Sequence, residues 1–199
     1  VALELEKKYG VHVEVIIADL SQKEELSAVL KAIGRLKSID ALVNNAGYGI
    51  GMRFSEDEIE NQLSMLKVHV DAPLMLIHKV LPVMMQKKSG IIINVSSLSA
   101  FTPTSRNALY TSTKMFLKNF SESLHMDVSQ YGIKVQCLCP GFIYSDFHRN
   151  RNANFNWIGM RLLRWMEPHE VVEYSIHYLK KGGVICIPGT FNRILIKSI

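Results

Sequence analysis

The sequence predicts an α/β fold, a doubly wound Rossmann-type parallel sheet, from three observations. Short apolar, β-branched runs at His12–Ala18, Ile39–Val43, Ile91–Val95, Ile133–Leu138 and Val184–Ile187 have the character of buried strands. Between them lie segments whose apolar residues recur at helical spacing, and strand–helix alternation makes parallel crossovers that cover both faces of a sheet. A chain of 199 residues with 48% hydrophobic content suffices for one core and is short for two, so residues 1–199 are read as one domain without repeat or linker.

Residues 2–9 read as the end of a helix, and HVEVIIA then gives a strand closed by Asp19. Ser21 with Glu24 has capping-box spacing, and Leu26, Val29, Leu30 and Ile33 follow at helical intervals, so a helix to about Leu36 is expected. The strand IDALV enters NNAGYGIG, where Gly47, Gly49 and Gly51 permit tight turns. Helical spacing runs from Glu56 to Lys87, with Pro73 and Pro82 expected to bend it. The strand IIINV, a helix over Ala108–Gln130 and the strand Ile133–Leu138, ending at Pro140-Gly141, continue the alternation. After a polar, aromatic insertion from Tyr144 to Trp165, Glu167-Pro168 opens a helix to about Leu179, and Val184–Ile187 is the last strand.

Composition excludes several classes. Charged residues are 21% and well mixed, which argues against disorder and low complexity. The net charge of +5 suits an anionic partner such as a phosphate-bearing cofactor or acyl-CoA, but the lysines are scattered rather than striped, so no nucleic-acid partner is expected. Cys137 and Cys139 alternate along a strand and Cys186 lies far away, leaving no metal-ligand spacing and fitting a reducing compartment. No continuous apolar run reaches the length of about 18 residues that spans a bilayer, and the chain opens on a charged helical segment, so a cytoplasmic or membrane-peripheral protein is expected.

Tyr110 and Lys114, four apart in a helix, share a face, so an ammonium stands beside a phenol. An isolated tyrosine titrates near pH 10, and a nearby cation favours the phenolate, which suits Tyr110 to general acid/base work. A bland surface pair has the same spacing. Ser97 closes IIINV, at the strand end where ligands bind in this architecture, and its hydroxyl can donate to a carbonyl oxygen; its alternative is a turn cap.

Asn44-Asn45-Ala46-Gly47, Ser97, Tyr110-x-x-x-Lys114 and Pro140-Gly141, in this order and spacing, resemble the short-chain dehydrogenase/reductase family over essentially the whole chain. LCPGFIYSDF and VICIPGTFNRIL are similar to the branch that includes 3-oxoacyl-CoA reductases and hydroxysteroid dehydrogenases. The resemblance implies that Tyr110 is the catalytic acid/base, that Lys114 lowers its pKa and holds the nicotinamide ribose, and that Ser97 orients the carbonyl. It also implies that Asp19 lies beside the adenine ring and that Asn45, Ala46 and Gly47 shape the adenine-ribose pocket. Pro140, Gly141, Ile143 and Ser145 would pack on the nicotinamide, Ser145 standing where the family usually has threonine. The implied cofactor is NADP, by branch resemblance, or NAD.

Two departures qualify this. VHVDA puts His69 where the family has the asparagine of its proton relay; imidazole can donate and accept, so His69 is a candidate relay residue, its alternative being a buried histidine bonded to backbone. Nothing here matches the family's opening strand, T-G-x-x-x-G-x-G turn, helix and second strand, whose turn binds pyrophosphate. In the order 3-2-1-4-5-6 the two absent strands would separate the one at His12–Ala18 from Ile39–Val43 by roughly 14 Å. The expectation is therefore that the natural protein carries about 40 to 50 further residues upstream, or else that the His12 strand re-pairs beside Ile39 or another chain completes the sheet.

The resemblance implies an NAD(P)-dependent oxidoreductase for a small hydrophobic carbonyl or alcohol; the alternative is a catalytically silent binding or regulatory relative. Phe142, Tyr144, Phe147, Phe155, Trp157, Met160 and Trp165 fall in the substrate-lid region, about 144–166, and favour an acyl chain or sterol, unless they simply pack the lid. Family members commonly pair two long helices, here 56–87 and 106–130, into a homodimer or homotetramer. The C-terminal FNRILIKSI is short for an interfacial membrane helix, and core packing or a dimer contact is its other reading.

Overall fold

The computed structural model describes residues 1–145 and 165–198. Four of the apolar runs lie side by side as β1 (Ala41–Asn44), β2 (Gly90–Val95), β3 (Ile133–Leu138) and β4 (Ile185–Cys186), all parallel and in that order. Consecutive order follows from consecutive crossovers: each strand is succeeded by a helix that carries the chain back along one face of the sheet.

One face is covered by α2 (Lys23–Ile33), α4 (Ala72–Lys87) and α5 (Ala108–Val128). Ile92, Ile133 and Val135 of the strands meet Ile77, Val80 and Met84 of α4 and Leu124 and Val128 of α5 in the main core. Leu26 of α2 packs on Ala72 and Leu76. On the opposite face α6 (Pro168–Lys180) sets Val171 against Leu138 and Cys186. Each of the Val, Leu, Ile and Met side chains among these, when fully buried, stabilises the fold by about 1.5–3 kcal/mol. The turn between α5 and β3 depends on Gly132, at φ 72, where a Cβ would stand 2.4 Å from the Lys88 carbonyl oxygen.

The long helical run is broken by geometry rather than by a simple proline kink. After α3 (Ile59–Leu66), residues Lys67–Asp71 form a π turn in which the Ala72 amide reaches back to the Lys67 carbonyl. Pro73 has no N–H to give the carbonyl four residues earlier, that of His69, so the wider turn sits where the α pattern is already interrupted. Pro82 stays inside α4. The run Ile59–Lys87 averages 1.3 in hydropathy over its best 18-residue window, enough by length and composition to cross a membrane, although polar residues interrupt it and 44% of that window is buried inside the fold. Much of that apolarity is spent on the sheet, through Ile77, Val80 and Met84.

The expected strand at His12–Ala18 is not formed. The helix before it, α1 (Ala2–Tyr9), is present and ends at Gly10, but residues 11–19 have no sheet partner among the described residues, and Val15 and Ile17 are exposed. A strand exists only through its neighbours, and neither the strand that would pair with this one nor the next towards β1 has a counterpart in the sequence. It does not re-pair beside β1, whose outer edge carries no strand among the described residues. The Ser21 capping box is also not made. Asp19 Oδ1 accepts the Ser21 amide at 2.9 Å, so α2 begins at Lys23, with Gln22 at its N-cap and no side-chain cap bond. At the other end of the chain, Thr190–Lys197 forms α7, pinned by Asn192 Nδ2 donating to the Pro188 carbonyl at 2.8 Å.

Candidate active site

The carboxyl ends of β1, β2 and β3 converge on the first turns of α5. At the end of β2, Ser96 is buried and its Oγ donates to the Lys114 carbonyl at 2.8 Å, fixing the strand to the helix. Ser97 then caps a short 3-10 turn, Leu98–Ala100, its Oγ accepting the Ser99 amide at 3.1 Å. The Leu98 amide donates to the Pro140 carbonyl at 3.0 Å, which brings the loop after β3 beside Ser97.

Tyr110 and Lys114 lie one turn apart at the buried start of α5, 8% and 5% exposed, with Nζ 5.7 Å from the tyrosine ring centroid. Nζ donates to the Val95 carbonyl at 3.0 Å, so the lysine spans the gap back to β2. Burial pulls the ammonium down to about 8, the nearby Cys137 and Cys139 thiols acting in the opposite sense. Those two sulfurs are 3.6 Å apart on the face of β3 that meets α5, and all three cysteines are free thiols.

His69 sits in the π turn, 1% exposed, between the loop after β1 and α5. Its Nε2 accepts the Tyr48 amide at 3.0 Å, and its Nδ1 is 2.9 Å from Thr113 Oγ1, which donates to the Tyr110 carbonyl at 2.8 Å. Its ring meets that of Tyr110 edge-on, 5.7 Å between centroids. Burial first, then the Lys114 charge, lowers its pKa from 6.5 to about 3, so the ring is neutral at physiological pH.

Of the residues assigned to a cofactor, Gly47 reaches the same centre. A Cβ there would be 2.9 Å from His69 Nε2 and 3.5 Å from Lys114 Nζ. Asn45 and Ala46 precede it on the same exposed loop. Asp19 is exposed ahead of α2; its charge helps burial raise the Tyr48 phenol, and its own carboxyl is held low by the bonds from Ser21. Pro140 is tied to the serine turn, while Gly141 packs on Asn192, whose amide would lie 2.8 Å from an added Cβ. Ile143 bridges to Met166, and Ser145 is exposed at the end of that loop. Lys114 Nζ, a buried donor beside Gly47, has the chemistry to hold a ribose hydroxyl. Among the described residues no glycine turn leads from a strand into a long helix to take a pyrophosphate, for Gly47, Gly49 and Gly51 precede only the 3-10 turn Phe54–Glu56. No cluster of three potential metal ligands occurs among the described residues.

Several supporting residues escape a sequence reading. Asn44 Nδ2 donates to Asn94 Oδ1 at 2.8 Å, Asn94 Nδ2 to Ser121 Oγ at 2.9 Å, and Ser121 Oγ to the Leu117 carbonyl at 2.6 Å. This buried polar ladder joins β1, β2 and α5 beneath the site. Its signal in the sequence is a lone asparagine in each of two apolar strands, since a buried amide requires partners. Thr113 gives less away, as a threonine beside Lys114 has no pattern of its own. Phe142, Tyr144 and Trp165 come together, with ring centroids 5.3 Å apart for Phe142–Trp165 and 5.1 Å for Tyr144–Trp165. Phe147, Phe155, Trp157 and Met160 lie outside the described residues.

The family model described as short chain dehydrogenase matches residues 1–156. A very-long-chain 3-oxoacyl-CoA reductase of Laccaria bicolor is 36% identical over 157 residues, covering 77% of this chain and 46% of that protein. The inactive hydroxysteroid dehydrogenase-like protein 1 of Rattus norvegicus is 33% identical over 186 residues, 92% of this chain and 54% of that protein. Among solved structures, a short-chain dehydrogenase from Sphingobium yanoikuyae in complex with NADPH aligns with a TM-score of 0.84 and 27% identity, covering 95% of this chain and 72% of that one. The chain spans about half the length of the two curated relatives.

Proposed function

This chain belongs to the short-chain dehydrogenase family, and from that premise we propose that the protein is an NAD(P)-dependent oxidoreductase interconverting a carbonyl and an alcohol on a hydrophobic substrate, acyl-CoA or steroid-like. The observation that carries this reading is the buried Tyr110–Lys114 pair at the carboxyl end of the sheet, with Nζ 5.7 Å from the phenol ring and Ser97 at the adjoining strand end.

In reduction, Tyr110 gives its phenolic proton to the carbonyl oxygen as negative charge develops there, and the Ser97 hydroxyl donates to the same oxygen. The Lys114 ammonium favours the phenolate left behind by Coulomb attraction and would hold the ribose hydroxyls of the bound cofactor. The nicotinamide, when bound, supplies the hydride. Asn45–Gly47 and Asp19 would line the adenosine side, and Pro140, Gly141, Ile143 and Ser145 the nicotinamide side. The NADPH complex of the Sphingobium relative supports NADP over NAD.

The Phe142, Tyr144 and Trp165 rings, gathered around Trp165, support an apolar substrate. Exposed Leu63 and Met75 on the run 56–87, and Met115 and Phe116 on α5, support a homo-oligomer through these helices. Three free thiols support a cytoplasmic setting.

A catalytically silent binding protein is the second reading. It is favoured by the engagement of both His69 nitrogens and by the likeness to a relative named inactive. The natural-length protein should bind NADPH, followed by nucleotide fluorescence, and reduce 3-oxoacyl-CoA thioesters or steroid ketones. Tyr110→Phe should lower turnover by roughly a hundredfold or more. Cofactor binding with no reduction of either substrate class would favour the silent reading.

A further inference from the structure

The bond directions around His69 are determined by its neighbours. The Tyr48 amide can only donate, so Nε2, 3.0 Å away, must present a lone pair. At the far end the Tyr110 carbonyl can only accept, so the single proton of the Thr113 hydroxyl points to it across 2.8 Å. Thr113 Oγ1 therefore accepts from His69 Nδ1 at 2.9 Å, and Nδ1 carries the hydrogen. The chain runs one way, from the Tyr48 N–H through the imidazole and the threonine to the Tyr110 carbonyl. Gly47 is held close by the same ring, with room for no Cβ, and the Tyr48 and Tyr110 rings flank it edge-on at 5.9 and 5.7 Å.

A relay group must take a proton at one nitrogen and release one at the other. Here a second proton on Nε2 would face the Tyr48 N–H, and loss of the Nδ1 hydrogen would strand the Thr113 oxygen. We propose that His69 and Thr113 are positioning residues, a latch that locks the loop at Gly47-Tyr48 to the turn of α5 carrying Tyr110 and Lys114, and that protons leaving Lys114 do not pass through His69. The latch thus couples the adenosine-side loop to the acid/base pair, and it rests on the reductase reading only for its effect on turnover. The histidine replaces a relay side chain with a fixed strut.

The test combines a spectroscopic readout with a rescue series on the natural-length protein. Nitrogen-15 NMR of His69 should show the neutral tautomer protonated at Nδ1, unchanged from pH 5 to 8. Thr113→Val, which keeps shape and loses the hydroxyl, should speed hydrogen exchange at the Tyr48 amide roughly tenfold and lower kcat by up to roughly a hundredfold. The pH profile of kcat should keep its shape, and Thr113→Ser should restore both exchange and kcat. A His69 that titrates in that range with a matching inflection in kcat, or a Thr113→Val protein with unchanged Tyr48 exchange, would overturn the latch. If no form turns over substrate, the reductase reading falls, and the tautomer and the Tyr48 exchange still decide the latch.

Discussion

Acid should loosen this fold through one histidine, and the size of the effect follows from the site. His69 is buried against the Tyr48 amide of the loop after β1 and against Tyr110, Thr113 and Lys114 of α5, and its pKa falls from 6.5 to about 3. The unfolded chain therefore binds a proton below about pH 6.5 that the folded chain refuses until about pH 3. Stability contributed by the neutral ring is fully present above the unfolded pKa and is lost as pH falls, at about 1.4 kcal/mol per unit. Between pH 7 and 5 the loss is about 2 kcal/mol. His69→Gln removes the titration, so urea unfolding of both proteins at the two pH values isolates this contribution from other acid effects. The variant should be the less stable at pH 7, and its deficit should shrink by about 2 kcal/mol at pH 5. Parallel losses in the two proteins would show that His69 charges freely in the folded state and would refute the bonding pattern derived for it.

Lys114→Met should separate stability from function: removing a buried cation whose pKa burial holds near 8 should stabilise the fold by roughly 1–3 kcal/mol while abolishing turnover. Because the depressed lysine regains stability as pH rises from 8 towards 10.5, the difference in urea midpoint between the two proteins should narrow over that range. Asn94→Ala leaves the Asn44 amide and the Ser121 hydroxyl without their partner and should cost about 2–4 kcal/mol by chemical denaturation. Gly47→Ala drives a methyl to 2.9 Å from His69 Nε2 and should cost about 1–3 kcal/mol and weaken cofactor affinity, measured by nucleotide fluorescence.

The central strands were legible because a continuous apolar run of the right length has few other uses: β3 falls on Ile133–Leu138, as expected, and β2 begins one residue early, at Gly90. The run at His12–Ala18 carries the same local signature and forms no strand, because pairing is a property of neighbours elsewhere in the chain. The Ser21 capping box failed to a closer competitor, the Asp19 carboxylate two residues back. A π turn inserts one residue into a helical period, too small a slip to read from spacing, though Pro73 marked the place. Tyr110 and Lys114 were visible as a helical pair, and the structure brings them together; the serine-turn link to Pro140 brings Ser97 and the loop after β3 beside one another. Thr113 and Ser96 act through partners distant in sequence, so single polar letters could not announce them, whereas Asn94, alone in the apolar run IIINV, signals a buried amide without naming its partners.

Hydride transfer itself can be followed with NADPH deuterated at the transferred position, incubated with the natural-length protein and an apolar ketone, the product being weighed by mass spectrometry. The product should be an alcohol carrying one deuterium, formed at a rate cut by roughly a hundredfold or more in Tyr110→Phe. Cofactor bound and no deuterium in any product, or labelling undiminished in Tyr110→Phe, would contradict the reductase reading.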